Sequence, residues 1–177
     1  MDNSGQKSGG REQTRARLVE IFNKLLLEGG SPRPRVSQVV GQANVARSTF
    51  YDHFDGIEAL ANESLAELFG AMTDSLLGDE SEAKLIAILE HVHENRRLGR
   101  DLLTGARGER SEALLAKIVE SRLADERNRR LSAILISGTV ISALGGWTSG
   151  RLNAAPNELA TTLRRATQAI LASSLER

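Results

Sequence analysis

The ten residues V-A-R-S-T-F-Y-D-H-F, from Val45 to Phe54, concentrate the side chains best able to do chemistry. The 177-residue chain has four Phe, one Tyr and one Trp, and Phe50, Tyr51 and Phe54 fall within this stretch, interleaved with Arg47, Ser48, Thr49 and His53. At about 100° per residue, a helix here puts Phe50 and Phe54 on one side at i and i+4, and Arg47, Ser48, Thr49 and Tyr51 are expected to face outward. A guanidinium, hydroxyls and a phenol are donors for phosphate oxygens and base edges. The spacing predicts a helix seated by its aromatics, with a polar face free for nucleic acid.

The remaining composition offers little competing chemistry. With no cysteine, disulfides, thiolate metal sites and cysteine nucleophiles are excluded, which suits a reducing compartment. His91 and His93 are two apart, so on a helix they diverge by about 200° and cannot share one metal ion. No Ser-His-Asp arrangement, paired-acid constellation, phosphate loop or metal spacing can be quoted, so neither an enzyme nor a cofactor is expected. Net charge is zero, and any affinity for a polyanion must come from local clustering. Between Arg11 and Phe54 the seven cations Arg11, Arg15, Arg17, Lys24, Arg33, Arg35 and Arg47 face the four anions Glu12, Glu20, Glu28 and Asp52, a local balance of +3.

The elements that must position the Val45–Phe54 helix come before it. M-D-N-S-G-Q-K-S-G-G lacks the apolar core of a signal peptide and reads as a flexible tail over residues 1–10. From Glu12 to Glu28, Leu18, Ile21, Phe22, Leu25 and Leu26 recur at three and four, an amphipathic helix stopped by Gly29 and Gly30. Pro32 and Pro34 extend the link to a short helix, V-S-Q-V-V-G-Q-A, and Asn44 ends it, because Asn tolerates positive φ best among non-glycine residues. Helix, tight turn, helix is the helix-turn-helix plan, whose second helix enters the major groove.

The segment R-V-S-Q-V-V-G-Q-A-N-V-A-R-S-T-F-Y-D-H-F resembles the DNA-binding domain of TetR-family transcriptional repressors. The match is carried by Val36, Val39, Ala43, Val45, Thr49, Phe50, Tyr51, His53 and Phe54, and covers roughly the first third of the chain. It implies an all-α protein of about nine helices: a three-helix DNA-binding head over residues 11–55, then a helical ligand-binding and dimerisation body over residues 56–177. It also implies DNA contacts from Arg35, Arg47, Ser48, Thr49, Tyr51 and His53. The chain departs from the family at Arg35, where Thr is usual, at Asn44 and Ser48, where glycines are usual, and at Ala46, where Ser is usual. Ala46 forfeits a capping bond worth about 1 kcal/mol. Ile57 stands where a phosphate-gripping Lys is common, leaving Arg35, Lys7 and Arg11 to supply that charge.

Beyond the head, helices are expected from Gly56 to Leu77, from a Ser81 cap to Glu94, from Arg97 to Thr104 up to a G-A-R-G break, and from Ser111 to Asn128. Asp55 and Glu58 have capping-box spacing for the first of these. The stretch Leu131–Gly150 carries no charge, and its length would admit a membrane span. Its many hydroxyls, and small Gly138, Ser142 and Gly146 at intervals of four, point instead to a helix buried against another. Pro156 opens a last helix with Leu159, Leu163, Ala166 and Ile170 as its stripe. Together with the small-residue face, that stripe is where the resemblance places a homodimer interface. The expected partners are a palindromic operator, a second copy and a small, mostly apolar effector near Phe69, Met72, His91, Asn95 and Trp147, with no membrane. The expected setting is the bacterial cytoplasm, and the alternative is a helical carrier or adaptor on the same fold.

Overall fold

The computed structural model describes residues 4–28, 34–78, 82–123 and 128–175. Among these it has nine α-helices and no strand. The chain divides into two compact units, the first ending at Leu65 and the second beginning at Ala66. The division falls inside a helix, beyond the boundary expected at residues 55–56.

The first unit holds α1 (Ser4–Glu28), α2 (Val36–Ala43), α3 (Arg47–Tyr51) and the opening turns of α4 (Ile57–Leu77). Its core joins Leu18, Val19, Phe22 and Leu25 of α1 to Val39 and Ala43 of α2, then to Phe50, Phe54 and Leu60. Leu18, Phe22 and Leu25 follow the helical period, and Ile21 and Leu26 flank them partly buried. Leu60 belongs to this core, which explains why the unit continues into α4. Asn23 and Ser64 join α1 to that turn by a side-chain hydrogen bond.

Helix α1 starts at Ser4, so the tail expected over residues 1–10 is helical from residue 4. Thr14 Oγ1 donates to the Gly10 carbonyl at 2.9 Å, tying this early backbone into the helix. The stop at Gly29 and Gly30, Pro32, the Ser81 cap and the Lys7 side chain lie outside the described residues.

The second unit holds the rest of α4, with α5 (Glu82–Glu94), α6 (Arg96–Leu103), α7 (Gly105–Arg122), α8 (Arg129–Thr148) and α9 (Pro156–Leu175). Helix α8 packs against α6, α7 and α9, and α5 packs against α9 and α6. Among the described residues α8 alone is long and apolar enough to cross a membrane, and 61% of its apolar window is buried inside the protein.

The expected break over G-A-R-G is confined to Thr104 and Gly105. Thr104 is extended, Gly105 takes φ +59°, and helix resumes at once. Helix α7 therefore begins before Ser111 and ends at Arg122 rather than Asn128, with Leu123 extended. The physical reason is a close corner. A Cβ on Gly108 would fall 2.8 Å from the Leu103 carbonyl oxygen, and one on Gly145 would fall 2.9 Å from the same atom. The glycines let α7 and α8 both close on the end of α6.

Candidate nucleic-acid interface

The turn between α2 and α3 is made by backbone chemistry. Asn44 takes φ 52° and ψ 48°, the left-handed conformation expected of it. Its N–H donates to the Gly41 carbonyl at 3.4 Å, and the Val45 N–H donates to the Val40 carbonyl at 3.2 Å. This pair of bonds is the Schellman arrangement, accompanied by the apolar residues Val40 and Val45 packed on the core. At the other end of α2, the Arg35 N–H donates to Gln38 Oε1 at 2.8 Å. Only that half of a capping box forms, since a guanidinium has no acceptor to offer in return.

Helix α3 starts from Ala46, which makes no side-chain capping bond, as its methyl dictates. Hydrogen bonding continues past Tyr51, with the His53 and Phe54 N–H groups donating to the Phe50 carbonyl at 3.0 and 2.9 Å. Phe50 is 0% exposed and Phe54 is buried, their ring centroids 5.8 Å apart. Tyr51 packs edge-on against Phe50 at 5.4 Å yet remains 47% exposed.

The outward face carries the expected donors. Arg47 and Ser48 are exposed, Thr49 and His53 half-buried, and Arg35 is exposed at the start of α2. The Arg47 guanidinium lies 5.8 Å from the Tyr51 ring centroid, with Nη2 3.4 Å from the phenol oxygen. These two side chains hold each other upright on one patch, a guanidinium beside a phenol.

Two arginines of α1 support α3 from behind, a role the sequence reading missed. Arg11 Nη2 donates to the Asp52 carbonyl at 2.9 Å, and Arg15 Nη1 donates to the His53 carbonyl at 3.0 Å. Cations at the carbonyl end of a helix satisfy orphan acceptors and oppose the negative end of its dipole. Arg15 also bonds Glu63 through Nε at 3.1 Å and lies 4.5 Å from the Phe54 ring centroid. Arg11, expected to help replace a missing phosphate contact, spends one donor on this internal bond. The only available signal was its i, i+4 spacing from Arg15. An open notch of about 470 Å³ lies beside the clamp, lined by Gly10, Arg11, Thr14, Asp52 and His53.

In the second unit the expected ligand set is only partly gathered inward. Phe69, Met72 and Trp147 are buried, whereas His91 is exposed and Asn95 is half-buried, bonding back to the His91 carbonyl at 2.9 Å. His91 turns away because Leu85, Leu89 and Val92 occupy the inner face of α5. His93 is the residue that meets Trp147, with centroids 4.9 Å apart, while Trp147 Nε1 donates to the Ala154 carbonyl at 2.9 Å. Among the described residues no group of three or more His, Asp or Glu side chains could hold a metal ion.

The expected dimer residues also separate. Leu159 and Leu163 are buried within their own chain, leaving Ala166 and Ile170 half-buried. A Cβ on Gly138 would face Glu112 at 3.5 Å, and one on Gly146 would face Leu152 at 3.7 Å. Ser142 is exposed, and on the same arc of α8 stand Leu131, Ile134 and Leu135, exposed by 55%, 48% and 47%. The sequence reading overlooked these three, although they share the helical spacing of Gly138 and Ser142.

Fold and site together define an all-α helix-turn-helix protein with a separate helical body. No family model matches the sequence, and no curated protein matches it. Solved structures do match. A TetR transcriptional regulator from Streptococcus agalactiae is 24% identical with a TM-score of 0.54, over 93% of this chain and 99% of that one. A TetR-family regulator from Streptomyces coelicolor is 17% identical with a TM-score of 0.54, over 92% and 82%. RolR, solved with resorcinol, is 20% identical with a TM-score of 0.53, over 96% and 97%. The chain has the fold of the TetR-family transcriptional regulators.

Proposed function

We propose that the protein is a homodimeric transcriptional repressor that leaves a palindromic operator when a small molecule binds its body. The observation that carries this reading is the two-faced α3, with Phe50 sealed in the core and Arg47, Ser48 and Tyr51 outside, behind a turn fixed by Asn44. A helix seated this way presents donors in a fixed register, which base-edge recognition needs. Arg35, Thr49 and His53 complete the contact set.

One short helix binds weakly, so the operator contact calls for two. Two copies held so that their recognition helices lie about 34 Å apart, or a multiple of that, read both halves of a palindrome. The surface for that pairing is the exposed arc of α8, Leu131, Ile134, Leu135 and Ser142, together with Ala166 and Ile170 of α9. The proposed effector is a small, mostly apolar molecule held near Phe69, Met72 and Trp147, in the class of the resorcinol bound by RolR. Its entry tilts α4, the helix shared by both units, and shifts the population away from the operator-bound state. Such a protein acts at the nucleoid, in the bacterial cytoplasm.

A gel shift with DNA flanking its own gene tests the reading. Salt-sensitive, sequence-selective binding is the expected outcome. A helical carrier on the same fold would leave that DNA unshifted.

A further inference from the structure

The corner from α6 into α7 carries five arginines that the operator contact does not use. Arg96, Arg97 and Arg100 lie on α6 within an arc of about 100°, and all three are exposed. Arg107 and Arg110 follow in the first turns of α7. Among the described residues none of these five guanidiniums has a hydrogen-bond or ion-pair partner. From Arg96 to Arg110 the acids are Asp101 and Glu109, so five cations less two anions leave +3 in a chain of zero net charge.

Arg96 and Arg97 do not serve the helix they stand on, whereas Arg100 is in its last turn, where the dipole favours a cation. Arg96 and Arg97 occupy the first turn of α6, where the helix dipole disfavours cations, and Asn95 ahead of them makes no side-chain capping bond. The apolar side of α6 is occupied: Leu103 is buried and Leu98 and Leu102 are half-buried. An amphipathic helix that enters a lipid surface needs that side free. A protein partner would call for an apolar anchor amid the charges, but among the described residues the large exposed apolar ones are on α3, on α8 and at Leu152, none on α6 or α7. A surface of unpaired guanidiniums with no apolar centre fits a nucleic-acid backbone, whose recognition is polar and strongly cationic.

We infer that the α6–α7 corner is a second, sequence-independent nucleic-acid contact, in which Arg96, Arg97 and Arg100 grip backbone phosphates. The inference extends the operator reading above, since DNA held by the head stays at high local concentration for a site on the same chain.

The test is a salt titration of binding to the flanking DNA and to a random-sequence duplex of equal length. Each lost phosphate contact lowers the slope of log affinity against log salt by about 0.9. Replacing all three residues, R96Q/R97Q/R100Q, should lower the slope by about 2 or more on both duplexes, leaving the preference between them unchanged. The lysine triple R96K/R97K/R100K should keep most of the slope, and Arg100→Gln alone should lose about 0.9. An unchanged slope in both glutamine variants, with melting curves like wild type, overturns the inference. So does loss of polyglutamate binding with the DNA slope intact, which assigns the stripe to an acidic protein. If the wild-type protein fails to prefer the flanking DNA, the operator reading falls, and the slope difference between glutamine and wild-type chains still decides the arginine contact.

Discussion

Arg15 lies over the Phe54 ring, its guanidinium carbon 4.5 Å from the centroid, while Nη1 bonds the neighbouring His53 carbonyl at 3.0 Å. One side chain of α1 thereby grips both the apolar seat of α3 and the backbone that leaves it. Glu63 fixes the other edge of the guanidinium at 3.1 Å. Both partners of that ion pair are about one-third exposed, so screening leaves it a minor share of the effect. Arg15→Ala should destabilise the protein by about 1 to 2 kcal/mol through the cation–π contact and the carbonyl bond. Urea denaturation checks this, and Arg15→Lys, which lacks the planar fork, should recover only part of the loss.

Asn44 offers a backbone test. At φ 52° a β-carbon is strained, and Asn is tolerated there better than most residues. Asn44→Gly should be neutral or mildly stabilising, whereas Asn44→Ala should cost about 1 kcal/mol. Equal melting temperatures for the two variants would contradict the left-handed assignment.

Phe50 and Tyr51 are adjacent and should respond in opposite ways. Phe50→Ala removes a ring that is 0% exposed and should cost about 3 to 5 kcal/mol in denaturant unfolding. Tyr51→Ala surrenders only the edge contact to Phe50, about 1 kcal/mol, but should weaken binding to the flanking DNA by about tenfold, an amount equal to one good base or phosphate contact. Operator affinity that survives the loss of Tyr51 would remove it from the interface.

Two glycines separate close packing from open space. A Cβ on Gly145 would stand 2.9 Å from the Leu103 carbonyl oxygen, a backbone atom that cannot swing aside, and Gly145→Ala should cost about 1 to 3 kcal/mol. A Cβ on Gly41, inside α2, would meet nothing within 4 Å, and Gly41→Ala should stabilise by about 0.5 to 1 kcal/mol. Thermal melts of the two variants should move in opposite directions.

Leu135, 47% exposed on α8, tests the proposed pairing surface. A charge at the centre of an apolar interface is strongly disfavoured, so Leu135→Glu should convert the proposed dimer to monomer in sedimentation at micromolar concentration. The helical content should be unchanged, because the side chain is 47% exposed in the single chain.

Much of the fold was legible because periodicity records which side of a helix each residue faces. Leu18, Phe22 and Leu25, Val39 and Ala43, and Phe50 with Phe54 are buried as their spacing required. Asn44 marked its turn through the conformational preference of a single residue, and Pro156 marked the start of α9. Other features depend on where the chain returns in space. The carbonyls gripped by Arg11 and Arg15 lie 41 and 38 residues away along the chain, a distance over which no local pattern operates. Likewise, three-and-four spacing gave Leu159 and Leu163 a common face but not the neighbour that covers it, and the tertiary structure buries them within the chain itself. The same packing leaves Leu131, Ile134 and Leu135 open to solvent and sets His93, rather than His91, against Trp147. Sequence determined the faces, since a helix turns by a constant angle per residue. Tertiary packing decided which faces are covered, since that depends on which helices approach, as where Gly108 and Gly145 let α7 and α8 close on the Leu103 carbonyl.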